Sequence, residues 1–122
     1  MTFPEKLKEL REEKGYSQKA LADVLNLSCT AVSHYETGSR EPGIDVLIQI
    51  AKFLDVSVDY LIGYSNVNIT PSQLQKQYCK GVDNGTLLER LLQLDSAHRQ
   101  ILMPIIKCIE SDYFISENSR RR

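Results

Sequence analysis

The chemistry of this chain concentrates at residues 29–34. Cys29, Thr30, Ser33 and His34 recur at helical spacing, so they share one side of a short helix, while Ala31, Val32 and Tyr35 fall on the other. A helix that buries one side and shows small hydrogen-bonding groups on the other suits insertion into the major groove of DNA, where bases expose donors, acceptors and the thymine methyl. Catalysis fits these residues poorly. Cys29 and His34 are five apart, a bad spacing for shared metal ligation, and His98 lies in a separate region. No Gly-rich phosphate loop follows a strand. The sequence therefore reads as no enzyme, with no metal or cofactor. Cys29 stands in the first turn of its helix, where the dipole can lower a thiol pKa and permit redox sensing. The plainer reading is a small side chain facing DNA.

The element that positions this face precedes it. Ala20, Leu21, Val24 and Leu25 form an apolar face at one-turn spacing, and the pattern breaks at Asn26. Ser28 offers an N-cap oxygen to the second helix, as Ser17 does to the first. An ordinary helical hairpin would show the same apolar faces. Further residues could hold the DNA backbone: Gln18 and Lys19 at the start of the first helix, Ser28 at the start of the second, and Thr37, Ser39 and Arg40 in the loop after it.

The remaining first half reads as three more helices. Thr2-Phe-Pro-Glu5 has the form of a capping box, and the helix it opens should reach about Lys14 and stop at Gly15. Phe3, Leu7 and Leu10 point inward, with Arg11 on or beside that face. Residues 44–54 carry Leu47, Ile50, Ala51 and Leu54 as a core stripe. Ser57 caps a short helix ended by Gly63. Five short helices with brief connections make an all-α domain over residues 1–63.

Several of these residues together carry a family resemblance. Leu10-Arg11, Gly15, Ser17-Gln18, Leu21-Ala22, Leu25, Val32-Ser33, Tyr35-Glu36, Gly38, Arg40, Pro42, Leu47, Ile50-Ala51, Leu54 and Val56-Ser57 resemble the helix-turn-helix domain of phage Cro and lambda-type repressors. The run Ser-His-Tyr-Glu-Thr-Gly at 33–38 is its most specific part. The resemblance covers about residues 7–63. It implies a five-helix lambda-repressor-like DNA-binding domain, a phosphate contact from Gln18, and an ion pair between Arg11 and Glu36 that ties the first helix to the third. Arginine suits that pairing because its planar fork can bind a carboxylate through two bonds.

Beyond residue 63 the reading rests on pattern alone. Residues 64–85 look like a linker with a short helix that starts at Thr70-Pro71 and ends at Gly81, followed by a turn at Asp83-Asn-Gly85. A strand hairpin is rejected because the flanks of that turn do not alternate. Thr86-Leu-Leu-Glu89 looks like a second capping box, and Asp95-Ser96 can cap a last helix that Pro104 should kink or break. Over residues 86–115, Leu87, Leu88, Leu91, Leu92, Ile101, Leu102, Ile105, Ile106, Ile109 and Tyr113 form more apolar surface than two or three helices can bury on themselves. We expect a helical dimerisation region there, with an antirepressor or toxin protein as the rival partner. Residues 116–122 read as a disordered basic tail.

Composition sets the outer bounds. The apolar fraction of 42% suits a soluble globular protein, and no run is long enough to span a membrane. No secretory signal opens the chain, and three scattered cysteines suggest reduced thiols, so a cytoplasmic location is expected. Net charge is −1, and residues 1–63 hold seven Lys/Arg against ten Asp/Glu. A DNA reader with that balance must concentrate its cations on one face. The expected function is a sequence-specific transcriptional regulator, a repressor that binds an inverted-repeat operator in double-stranded DNA as a homodimer. The alternative is a protein-interaction module that keeps the fold without reading bases.

Overall fold

A computed structural model of the chain describes residues 1–120, with side chains for 1–112 and 120. The chain divides into two compact units, Met1–Gln73 and Leu74–Arg122.

The first unit begins with α1 (Phe3–Glu13), α2 (Gln18–Val24), α3 (Cys29–Thr37), α4 (Ile44–Leu54) and α5 (Val58–Leu61). Serine hydroxyls start three of them. Ser17, Ser28 and Ser57 accept from the backbone N–H of Ala20, Ala31 and Tyr60 at 3.0, 3.0 and 3.2 Å. The Glu5 carboxylate accepts from the Thr2 backbone N–H at 2.9 Å and from its hydroxyl at 3.1 Å, which fixes the entry to α1. Helices α1 and α2 both pack on α3, and α5 closes on α1 and α4. Leu7, Leu21, Val32, Ile50, Leu54 and Leu61 are fully enclosed, with Phe3 and Leu47 partly buried against them. Among the described residues every buried hydrophobic lies between Leu7 and Leu61.

One inward position differs from expectation. Val24 is 53% exposed, and Ala22 is buried in its stead. Helix α2 has only seven residues, and its contact with α3 fixes the buried arc on Leu21, Ala22 and Leu25. After Leu25 the chain turns through Asn26 at φ 56°, a left-handed conformation that asparagine tolerates better than most side chains.

The second unit departs further from the sequence reading. Helix α6 (Pro71–Gln75), whose first residues lie in the first unit, ends well before Gly81. A small antiparallel hairpin follows, β1 (Gln77–Cys79) against β2 (Val82–Asp83), with Cys79 opposite Val82. The all-α expectation thus becomes a mostly helical fold with one two-stranded hairpin. Gly81 serves the hairpin turn at φ 83°, a backbone state costly for other residues. The sequence reading weighs a hairpin only at Asp83–Gly85 and takes Gly81 as a helix end; strands of three and two residues are too short to show alternation.

Helix α7 (Asn84–Leu92) starts earlier than Thr86. Asp83 is its N-cap and accepts from the Thr86 N–H at 2.6 Å, so the supposed turn at 83–85 is the cap and first turn of a helix. A carboxylate there also complements the helix dipole, an advantage a threonine hydroxyl lacks. Helix α8 (Ser96–Arg120) runs unbroken for 25 residues, capped by Asp95, which accepts from the His98 N–H at 2.8 Å. Pro104 removes one backbone donor but does not interrupt it. The backbone is helical to Arg120, where the sequence reading expects a disordered tail from Ser116. The Tyr113 side chain, Arg121 and Arg122 lie outside the described residues.

Candidate nucleic-acid interface

Helix α3 is held as a rigid rod by ties at both ends. At its start Ser28 caps Ala31. At its end Gly38 takes a left-handed conformation at φ 80°, and an added Cβ would lie 3.5 Å from Pro4 Cγ. The loop then folds back on one carbonyl. His34 O accepts from the Arg40 N–H at 3.3 Å and from the hydroxyls of Thr37 and Ser39 at 3.2 and 3.4 Å. Ala31, Val32 and Tyr35 are buried, whereas Cys29, Thr30 and His34 are exposed and Ser33 is half-buried. The two faces of α3 stand as the periodicity predicts.

The ion pair between the first and third helices is present. Arg11 Nε donates to Glu36 Oε1 at 2.5 Å and Nη2 to Oε2 at 3.2 Å, a two-pronged contact. The side chains are only 10% and 3% exposed. Arg11 Nη1 also donates to the Tyr16 carbonyl at 2.7 Å, so the guanidinium joins α1, the α1–α2 turn and α3. The bond to Glu36 holds the Arg11 pKa above its ordinary value, against the opposing pull of burial.

Gln18 belongs to the same cluster, a link not drawn from the sequence. Its Nε2 donates to Glu36 Oε2 at 2.8 Å, which orients the amide at the start of α2. An amide nitrogen carries two N–H bonds, so one remains for a ligand. The residues that meet here are far apart in the chain, and only the closed fold joins them.

The other expected backbone contacts differ in availability. Lys19 and Arg40 are exposed and have no acidic partner among the described residues. The Ser28, Thr37 and Ser39 hydroxyls are exposed but take part in the internal bonds just described. Cys29 is a free thiol. Among the described residues no group of three His, Cys, Asp or Glu could hold a metal, and no helix is long and apolar enough to cross a membrane.

Comparison with known proteins agrees with this geometry. Residues 7–61 match the family model HTH_3, described as Helix-turn-helix. The uncharacterized HTH-type transcriptional regulator YqaE of Bacillus subtilis (strain 168) is 43% identical over 75 residues, 61% of this chain and 65% of that protein. The chain spans less than two thirds of the length of curated relatives such as this one. These relatives are regulators, not enzymes. The crystal structure of the P22 c2 repressor in complex with a synthetic operator superposes with a TM-score of 0.51 and 28% identity, over 53% of this chain and 98% of that one. A transcriptional regulator from Listeria innocua shares the fold over 92% of this chain and 95% of its own, with a TM-score of 0.51 and 24% identity. Over residues 7–61 the chain is thus similar to the helix-turn-helix transcriptional regulators.

Proposed function

We propose that this protein is a DNA-binding transcriptional regulator that reads an operator through α3 in the major groove. The exposed face of α3 carries the reading: Cys29, Thr30, Ser33 and His34 present small polar groups on a helix whose other side is locked into the core. The likeness to the operator-bound P22 c2 repressor supports it. Gln18, Lys19, Ser28, Thr37, Ser39 and Arg40 position the DNA backbone, while α3 supplies sequence preference. One short helix reads too few base pairs to select a site from a genome. A homodimer, built by the apolar faces of α7 and α8, doubles the contact and sets two α3 helices about 34 Å apart on an inverted repeat. In this reading the protein is a cytoplasmic repressor.

Binding-site selection from random duplex DNA tests the proposal. An inverted repeat with half-sites about one helical turn apart is expected. His34→Ala should relax preference at one or two base pairs, by about 1–3 kcal/mol. Arg40→Ala should weaken all sites alike and reduce the salt slope by about one. A protein that enriches no sequence would be an interaction module instead. Preference unchanged in His34→Ala would place the reading face elsewhere.

A further inference from the structure

We propose that Thr37 and Ser39 are positioning residues for Arg40, and that their side chains act on the DNA phosphate only through it. The proposal rests on the DNA reading above and divides its loop residues by role. Gly38 turns the chain at φ 80°, so the residues on either side of it fold back on the end of α3. There the His34 carbonyl accepts from the Thr37 hydroxyl at 3.2 Å, from the Ser39 hydroxyl at 3.4 Å and from the Arg40 N–H at 3.3 Å. The two hydroxyl oxygens stand 3.0 Å apart.

Protons decide the roles. A phosphate oxygen only accepts, and a hydroxyl has one proton to give. Thr37 gives its proton to the His34 carbonyl. Ser39 gives its own to that carbonyl or to the Thr37 oxygen. Either way both protons are used inside the loop. Arg40 is exposed, and its guanidinium has no acidic partner among the described residues. It is therefore the side chain of this loop that can grip a phosphate. The closed loop serves that grip twice. It fixes the Arg40 backbone against His34, so the phosphate contact keeps step with the base contact and less freedom is lost on binding. It also covers a carbonyl at the C-terminal end of α3, where the negative end of the helix dipole would repel phosphate.

A double-mutant cycle on the full chain tests this, with the operator that selection returns. Arg40→Ala should weaken binding about tenfold, and Thr37→Val with Ser39→Ala about fivefold. All three changes together should cost about tenfold, no more than Arg40→Ala alone, because the hydroxyls act through the arginine. Ethylation of single phosphates should cease to interfere at the same phosphate in both variants. Thr37→Ser, which keeps the hydroxyl, should bind like the parent. Amide exchange at Arg40 should quicken in Thr37→Val with Ser39→Ala, while the thermal melt of residues 1–63 holds. A combined loss near fiftyfold, with interference lost at a second phosphate, would overturn the proposal, since the hydroxyls would then touch DNA themselves. Parent-like binding without the hydroxyls would overturn it too. A parent chain that enriches no sequence while its Arg40 amide stays protected would instead remove the DNA reading on which the proposal stands.

Discussion

The two units of this chain solve the same problem in opposite ways. Both are mostly helical and both carry many aliphatic side chains. Residues 7–61 turn most of theirs inward, so that Leu7, Leu21, Val32, Ile50, Leu54 and Leu61 lose almost all contact with water, while Val24, Ile44 and Ile48 stay exposed. In α7 and α8, by contrast, Leu92, Ile101 and Ile109 stay more than 60% exposed. The helix starts differ too. Neutral serine hydroxyls cap α2, α3 and α5, while the aspartates Asp83 and Asp95 cap α7 and α8. A set of helices becomes a closed domain when several apolar faces converge. Where they do not, the same residue types form a surface that calls for a partner.

The sharpest way to break this contrast is to cut a side chain in each unit. Leu7→Ala should cost about 4 kcal/mol, because it empties space in a packed core. Leu92→Ala, already largely exposed, should leave the unfolding of the first unit unchanged. Denaturant melts of both variants decide it, and equal losses would dissolve the distinction.

Next in size comes the Arg11–Glu36 pair. Glu36→Ala leaves a mostly buried guanidinium without its carboxylate and should cost about 3 kcal/mol. Replacing both residues with apolar ones of similar size should restore most of it. A thermal melt of Glu36→Ala that matched the parent would show that packing alone ties α1 to α3.

A smaller effect concerns the proposed interface. Ile105→Asp would bury an unpaired charge in that interface, so it should convert a dimer to a monomer in sedimentation while residues 1–63 melt as before. Loss of the first unit's transition would mean that its core depends on the second.

The smallest effect is acid fraying at the helix starts that carboxylates hold, two of them in the second unit. The Asp83 carboxyl is held below its ordinary value by the backbone and side-chain bonds of Thr86, and Asp95 by those of His98. A depressed carboxyl adds stability above its unfolded pKa and loses it as pH falls through the folded one. Helical signal from α7 and α8 should therefore decline below the ordinary aspartate range, while the serine caps of α2, α3 and α5 do not titrate. Glu5, depressed by its bonds to Thr2, makes the start of α1 the exception. Amide exchange at low pH separates the regions, and uniform fraying would remove the contrast.

How far the sequence carried the reading follows from the range of the forces involved. Ser17, Ser28 and Ser57 were legible as caps because the bond each makes spans three residues. The two faces of α3 were legible because helical period alone separates Val32 from His34. Arg11 and Glu36 lie 25 residues apart, and their pairing came from family resemblance rather than local pattern. Local signals in the second unit were ambiguous. Asp83 and Thr86 could each begin α7, and Gly81 could end a helix or turn a hairpin. Bonds to neighbours outside the local pattern settled such choices, among them the Asn84 N–H to the Lys76 carbonyl at 2.9 Å.

By itself the sequence determined most of the segments that coil, where most of them start, and which side of most is apolar, since those follow from spacing and short-range bonds. Tertiary structure decided what the apolar sides meet. It exposed Val24 and buried Ala22, drew Gln18 onto Glu36, and closed Thr37, Ser39 and Arg40 around the His34 carbonyl. The physical reason is that burial and long-range hydrogen bonds depend on which elements pack together. Period and propensity constrain that choice without fixing it.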